Sequence, residues 1–363
     1  MIVFTSICAN YTHKARTLAK SVKEHINDAK FFVCLTEREK SSIMNFNYFD
    51  EVILSKDMWD GNFDRFIYKH SIVEASTSVK AHFFKYLMNK YPNETEFVYL
   101  DPDCYVYSEF IELRQLLLKK PIIVCPHLLQ PGNIDMELSA TAHGVYNLGF
   151  LAVNNSDEAN RFIDWWSERL YLFCYDDILR GIFTDQKWID LAPCFFDVKI
   201  LKHNGYDFAP WSLLNCNMSI LNDQYYVNDD PIRFIHFSGY GATARKCMDD
   251  WLPDGEHPFK DLYDKYCIIH DYNNEDNVSK IPWSYDYYYS GEKVDNALRA
   301  KYRSDYDVMF SIEDPFALSN TAIKRLSSKK RNLKHYWKSY LYLMENGGIK
   351  AVLKKITSII TSS

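Results

Sequence analysis

Two aspartates follow a short apolar run in the segment FVYLDPDCYVYS at residues 97–108. Asp101 and Asp103 flank Pro102, and the large apolar side chains of 97–100 predict a buried strand directly before them. An unpaired carboxylate in such a place is costly, so the pair requires water or a cation. Pro102 favours an extended backbone before it, and residues i and i+2 of an extended segment point the same way. Both carboxylates are therefore predicted to face one cation.

The ligand type indicates which cation this would be. Hard oxygen ligands in a partly open site suit Mg²⁺ or Mn²⁺ that bridges to substrate phosphates. The end of a strand is also where open α/β sheets bind their ligands. The alternative is a turn with both aspartates in water, and the local segment alone does not decide between the two.

The elements around the aspartates alternate between apolar runs and helix-like segments, which predicts an α/β fold with a mixed central sheet flanked by helices. Residues 130–144 are predicted to form a loop. The predicted strands are 2–6, 30–36, 51–54, 97–100, 122–125, 145–153 and 232–237, and the predicted helices are 12–25, 79–90, 109–119, 156–170 and 185–191.

Composition and charge exclude several classes of protein. The chain has 363 residues and 47% hydrophobic content, enough for a sizeable core. Its nine cysteines form no C-x-x-C pair, and we expect a cytoplasmic protein without a leader or a membrane span. Residues 321–363 carry a net charge of +9 and residues 1–320 carry −15. This distribution argues against nucleic-acid binding.

Three later segments accompany the aspartates: GVYNLGFLAV at 144–153, FTDQKWIDL at 183–191 and RFIHFSGYG at 233–241. The order strand-D-x-D, N-x-G, D-Q and histidine followed by glycine resembles the retaining glycosyltransferases of the GT-A fold. The likeness is greatest to family 8 and its bacterial polysaccharide and lipopolysaccharide relatives. The N-terminal ANYTHKARTLAKSV is similar to the first loop and helix of that family, which implies that Asn10 and Tyr11 hold the nucleotide base.

The resemblance implies a GT-A fold that transfers a hexose from a nucleotide-sugar, most simply a UDP-sugar, to a saccharide or lipid-linked saccharide acceptor with retention of configuration. It implies a metal held by Asp101, Asp103 and His236, and the imidazole favours Mn²⁺ over Mg²⁺. A histidine at a strand end can instead be an ordinary core side chain.

The resemblance also implies roles for other residues. The D-Q pair would place Asp185 against the sugar hydroxyls and Gln186 against the anomeric carbon, although simple helix capping is the alternative. Either Lys246 or Arg245 would replace the family's phosphate-binding lysine. The remaining candidates are Thr5, Ser6, Asn10, Tyr11 and Lys80 for the nucleotide, Asn147, Gly149 and Gly239 for the donor sugar, and Trp188 and Trp211 for the acceptor.

The resemblance also sets the predicted domains. Residues 1–245 would be the catalytic domain, with 1–125 binding the nucleotide and 126–245 the sugar and acceptor. Residues 246–320 would form a loop-rich extension. In the basic tail 321–363, apolar residues from Ile349 to Ile360 share one helical face, which predicts peripheral contact with the inner face of a membrane. The alternative for the tail is packing on the catalytic domain.

Two other functions compete with glycosyl transfer. A sugar nucleotidyltransferase would share the sheet and the acidic metal site, but it needs a glycine-rich phosphate loop after the first strand, and SICANYTHKA contains no glycine. A non-catalytic carbohydrate-binding protein would keep the aromatic residues without a metal site.

Overall fold

The computed structural model of the chain describes residues 1–327. They fall into two units, the first formed by residues 1–59 and 72–283, and the second by residues 60–71 and 284–327. The boundary predicted at residue 245 therefore falls inside the first unit. The amphipathic tail helix predicted from Ile349 to Ile360 lies outside the described residues.

The strands confirm the predicted apolar runs and add short segments between them. They are β1 (Ile2–Ile7), β2 (Lys30–Leu35), β3 (Glu51–Leu54), β4 (Phe97–Leu100), β5 (Cys104–Val106), β6 (Ile122–Pro126), β7 (Tyr146–Val153), β8 (Asp176–Asp177), β9 (Ile182–Phe183), β10 (Val198–Ile200), β11 (Met218–Leu221), β12 (Gln224–Val227), β13 (Asp230–Pro231) and β14 (Phe234–His236).

The helices belong to both units, with α2 and α11 to α13 in the second. They are α1 (Thr12–His25), α2 (Phe63–Ile67), α3 (Ile72–Ser78), α4 (Lys80–Lys90), α5 (Ile111–Leu117), α6 (Ile134–His143), α7 (Asp157–Phe173), α8 (Ala192–Phe195), α9 (Ala242–Trp251), α10 (Pro258–Tyr272), α11 (Asn296–Arg303), α12 (Tyr306–Ser311) and α13 (Asn320–Ser327).

A seven-stranded sheet in the order β10-β6-β7-β4-β1-β2-β3 forms the centre of the first unit. β7 runs antiparallel to both of its neighbours, while β4, β1, β2 and β3 are parallel to one another. All eight residues of β7 are buried, as expected of a strand covered on both faces. The mixed sheet flanked by helices confirms the predicted α/β class.

Three local predictions differ from the structure. Residues 134–143 form α6 instead of a loop, with the Asn133 side chain accepting a hydrogen bond from the Met136 amide at the helix start. The helix predicted from residue 109 begins only at Ile111, and the Ser108 hydroxyl before it donates to the carbonyl of Ile232. The short helix predicted at 185–191 is a 3₁₀ helix that begins only at Lys187.

The second unit contains a buried arginine. Arg299 donates to the carbonyl oxygens of Tyr68, at 3.1 Å, and Tyr285, at 2.5 Å. Its guanidinium carbon lies 5.4 Å from the centre of the Tyr68 ring. These contacts compensate the burial of its charge. Among residues 1–327, no helix has the length and apolar character needed to cross a membrane.

Candidate active site

The two aspartates lie in a tight turn between β4 and β5. The Cys104 amide donates to the Asp101 carbonyl at 3.0 Å, with Pro102 at the second position, where its fixed φ is favoured. The extended conformation predicted for Asp101–Asp103 is therefore wrong. The Asp101 amide donates to the carbonyl of Gly149 on β7 at 2.9 Å, so the sheet anchors the start of the turn.

The strand after the turn brings His236 to the aspartates. β14 pairs antiparallel with β5, and in this register His236 lies opposite Cys104. The Phe237 amide donates to the Asp103 carbonyl at 2.9 Å and closes the pairing next to the turn. A histidine more than 130 residues away in the chain is thus fixed beside Asp103 by a backbone ladder.

The side chains of these three residues converge. Nε2 of His236 lies 3.3 Å from Oδ1 of Asp103 and 3.8 Å from Oδ2 of Asp101. One ligand atom from each residue lies within 4.8 Å of the others. Two carboxylates and one imidazole are a donor set that suits Mn²⁺ and also accepts Mg²⁺. The residues present therefore fit the predicted divalent cation.

A third carboxylate lies behind the imidazole. Oδ1 of Asp207 is 3.3 Å from Nδ1 of His236, and the Asp207 side chain is only 1% exposed. Burial lowers the pKa of His236, but hydrogen bonds to Asp103 and Asp207 outweigh it and hold that pKa well above its usual value. Burial raises the pKa of Asp207 above its usual value against the opposing effect of His236, and the charges of Asp101 and Asp103 raise it further. Asp207 was not predicted from the sequence.

Gly149 leaves the space that the imidazole occupies. A Cβ added at Gly149 would lie 2.4 Å from both Cε1 and Nδ1 of His236. The Asn147 side chain accepts from the Gly149 amide at 2.9 Å and presents Nδ2 at 3.2 Å from the same Nδ1. Both residues lie against His236, and Asn147 also lines the cavity described below, so their predicted contact with a donor sugar stays a prediction.

Lys80 joins Asp101 to Asp185. Its side chain is 3% exposed, and its Nζ atom lies 3.2 Å from Oδ1 of Asp101 and 3.0 Å from Oδ2 of Asp185. Burial lowers the pKa of Lys80, but the two carboxylates raise it further than burial lowers it. Burial raises the pKa of Asp185 despite the opposing effect of Lys80. The lysine is therefore a buried cation between two carboxylates.

A cavity of about 510 Å³ opens beside these groups, a size suited to a small organic ligand. Its wall includes α6, the segment predicted to be a loop, through Met136 and Ala140. Seven of the residues predicted for the site also line the cavity: Lys80, Asp101, Asn147, Asp185, Gln186, Trp211 and His236.

The Gln186 amide is held on both sides. Its Oε1 atom accepts from the Leu148 amide at 2.8 Å, and its Nε2 atom donates to the His143 carbonyl at 3.2 Å. The side chain therefore lines the cavity in one fixed orientation, between β7 and the end of α6.

Four of the residues predicted for the nucleotide lie around the start of α1. Thr5 is fully buried in β1, and among the described residues its hydroxyl has no hydrogen-bond partner. Ser6 donates to the carbonyl of Ser76 at 2.7 Å. Oδ1 of Asn10 is buried and has no hydrogen-bond partner within residues 1–327, while the Tyr11 ring is 40% exposed. Because the Thr5 hydroxyl and Oδ1 of Asn10 are both enclosed, their contact with a nucleotide stays a prediction.

The predicted residues that do not line the cavity include Lys246, Gly239 and Trp188. Lys246 is 73% exposed on α9 and pairs with Asp250. Gly239, at φ 68°, forms the turn before α9. Trp188 donates to the Phe173 carbonyl at 3.2 Å, whereas Trp211 lies in the cavity wall with its ring centre 6.2 Å from that of His236.

Two further residues beside the site were also missed. Nζ of Lys14 lies 3.6 Å from Oδ2 of Asp103. His127 lines the cavity, and burial lowers its pKa to about 4 while Nδ1 lies 2.7 Å from the Gly144 carbonyl. The i, i+3 spacing of Tyr11 and Lys14 on a predicted helix start could have indicated Lys14. No local pattern marks Asp207 or His127.

Comparisons with known proteins give distant relatives. The chain matches no protein-family model. It is 21% identical over 247 residues to the uncharacterized protein YfnD of Bacillus subtilis (strain 168). The aligned region covers 67% of this chain and 78% of YfnD.

Solved structures similar to this chain include the galactosyltransferase LgtC in complex with donor and acceptor sugar analogues, with TM-score 0.46, 15% identity, and 78% of this chain and 98% of LgtC covered. The glycosyltransferase GlyE of Streptococcus pneumoniae TIGR4 has TM-score 0.42 and 14% identity, with 77% of this chain and 65% of GlyE covered. Mouse xyloside xylosyltransferase 1 has TM-score 0.40 and 13% identity, with 66% of this chain and 97% of the mouse protein covered. These structural neighbours are glycosyltransferases, the class that the sequence motifs resemble.

Proposed function

We propose that this chain is a metal-dependent retaining glycosyltransferase that moves a hexose from a nucleotide-sugar, most simply a UDP-sugar, to a saccharide acceptor of a bacterial surface polysaccharide or glycoconjugate. The observation that carries the proposal is the convergence of Asp101, Asp103 and His236, with ligand atoms within 4.8 Å, at a cavity that Asp185 and Gln186 also line. A binding protein for sugars alone would not need this cluster.

The arrangement supports separate roles for the bound metal, Lys80 and Asp185. Bound Mn²⁺ or Mg²⁺ would offset the negative charge that develops on the departing nucleoside diphosphate. Lys80 holds Asp101 and Asp185 in position through its contacts at 3.2 and 3.0 Å. Asp185 would accept hydrogen bonds from the sugar hydroxyls that enter the cavity.

Gln186 would face the oxocarbenium-like sugar without attacking it. A neutral amide is a poor nucleophile, and both of its ends are already hydrogen-bonded to backbone groups. A front-face route, in which the departing phosphate oxygen takes the proton of the acceptor hydroxyl, needs no base from the protein. Retention of configuration would follow from that route.

The test is a screen of nucleotide-sugars for Mn²⁺-dependent hydrolysis, with Asp103→Asn as the paired variant. We expect at least one UDP-sugar to be cleaved by the wild-type chain and none by the variant. Full activity of Asp103→Asn would refute the metal assignment, and failure to bind any nucleoside diphosphate would favour a carbohydrate-binding protein. NMR of the transfer product tests the stereochemistry, where an inverted linkage would refute retention.

A further inference from the structure

Lys14 lies in the first turn of α1, between the loop predicted to bind the nucleotide base and the acidic turn. Its Nζ atom is 4.4 Å from the centre of the Tyr11 ring and 3.6 Å from Oδ2 of Asp103. The side chain is 13% exposed, so most of its length is packed and its ammonium group is confined to this place. The two contacts hold one cation between Tyr11, which is predicted to contact the base, and Asp103, which is proposed to hold the metal at the diphosphate.

The other lysines proposed for the phosphates are already engaged. Lys80 is 3% exposed and contacts two carboxylates at 3.2 Å or less. Lys246 is 73% exposed on α9, where it pairs with Asp250. Arg245 is also exposed on the same helix. None of these contacts brings a cation between Tyr11 and Asp103.

The contact of Lys14 with Asp103 is weaker than those of Lys80. At 3.6 Å it is an ion pair without a hydrogen bond, whereas Oδ1 of the same aspartate lies 3.3 Å from His236. A lysine ammonium has three donors and forms charge-assisted hydrogen bonds with phosphate oxygens. An anionic ligand at the acidic turn would therefore give Lys14 the hydrogen bonds that Asp103 does not supply.

We infer that Lys14 binds the diphosphate of the nucleotide-sugar donor. This inference rests on the proposed function, because it needs a nucleoside diphosphate at the acidic turn. It assigns to α1 a role in holding the phosphates in addition to the base contact predicted for Asn10 and Tyr11. If Lys14 only oriented Asp103, its removal would instead weaken Mn²⁺ binding, because Asp103 is a proposed metal ligand.

The experiment compares Lys14→Met with the wild-type chain by calorimetric titration of uridine and UDP in the presence of Mn²⁺, and of Mn²⁺ alone. GDP and guanosine replace them if the wild-type chain binds only the guanine nucleotide. We expect the affinity for the diphosphate to fall by about tenfold to a hundredfold, as for a lost hydrogen bond to a charged group. The nucleoside should bind within about twofold of its original affinity, and Mn²⁺ alone should bind as well or better, because a nearby positive charge has been removed.

The control variants separate charge from packing. Lys14→Arg should retain most of the affinity for the diphosphate, and Lys20→Met, which removes a partly exposed cation paired with Glu24 on the same helix, should retain all of it. Equal losses for the nucleoside and the diphosphate would overturn the inference, as would a parallel loss of Mn²⁺ binding. If the wild-type chain binds neither diphosphate, the proposed function itself fails, which is a different result.

Discussion

Oδ1 of Asp207 lies 3.3 Å from Nδ1 of His236, so a buried carboxylate stands behind the imidazole whose other nitrogen faces Asp103. A carboxylate in this place orients the ring and favours the tautomer that offers Nε2 to a metal. Asp207 is itself held at a φ of 52°, a left-handed backbone conformation that aspartate tolerates better than most residues. The contact links a loop residue to the candidate metal centre.

The first prediction removes this orienting charge. Asp207→Asn should weaken Mn²⁺ binding by about tenfold to a hundredfold, the usual cost of losing an outer partner of a metal ligand. Mn²⁺ titration followed by electron paramagnetic resonance measures the affinity, and far-UV circular dichroism checks the fold. Asp164→Asn, at a carboxylate that is 60% exposed, is the matched control. Unchanged Mn²⁺ affinity in Asp207→Asn would show that the contact is not needed.

The second prediction concerns the space next to the ring. Gly149→Ala places a Cβ 2.4 Å from two atoms of His236, so the imidazole or β7 must move. We expect weaker Mn²⁺ binding and a loss of about 1–3 kcal/mol in the free energy of unfolding, as for an overpacked core. In the control Gly132→Ala, the new Cβ meets its nearest neighbour at 3.4 Å, an ordinary contact. Equal behaviour of the two variants would contradict the steric account.

The third prediction concerns the buried lysine. Lys80→Met leaves Asp101 and Asp185 without their shared cation and should lower the free energy of unfolding by about 3–5 kcal/mol. Lys85→Met on the same helix removes an exposed pair with Asp164 and should cost less than about 1 kcal/mol. Urea unfolding followed by tryptophan fluorescence measures both. If Lys80→Met lowered the free energy of unfolding as little as Lys85→Met does, the pairing of Lys80 with Asp101 and Asp185 would be contradicted.

The fourth prediction is a pH dependence of stability. Burial, followed by the charges of His270, Lys14 and Arg16, lowers the pKa of His13 from 6.5 to about 3. Between these values the unfolded chain binds a proton that the folded chain does not, so stability falls as the pH falls through this window. Between pH 7 and pH 5, protonation of this one group in the unfolded chain should lower the free energy of unfolding by up to about 2 kcal/mol.

His13→Asn provides the comparison for this pH effect. Urea unfolding at pH 7 and pH 5 should show a smaller loss in the variant than in the wild-type chain, because the variant has no imidazole to protonate. The His270 ring, 4.7 Å from that of His13 between centres, stays in place in both proteins. Identical losses on acidification would show that His13 is protonated equally in both states.

The sequence allowed much of the fold to be predicted, because the central strands are continuous apolar runs. Tyr146–Val153 is buried at every position, and such a run has few alternatives. Helix α6 was missed because Pro131 and Gly132 before it indicate a loop, and none of its residues is buried in the core. The short strand β5 was missed because three residues carry too little pattern.

The sequence predicted the site residues that belong to a motif, but not those that only the folded chain brings together. The motif order indicated Asp101, Asp103 and His236, and their side chains do converge. Asp207 reaches His236 through loop geometry that no local pattern encodes. Lys246 was chosen by its position after the histidine; its side chain is 73% exposed on α9, and its phosphate contact stays a prediction.

The central claim is that Asp101, Asp103 and His236 bind a divalent cation, and Mn²⁺ titration of the wild-type chain and Asp103→Asn by electron paramagnetic resonance tests it most directly. The account predicts one Mn²⁺ bound per wild-type chain, tighter binding when UDP is added, and a loss of binding in the variant. No Mn²⁺ bound by the wild-type chain, or the same affinity in Asp103→Asn, would contradict it.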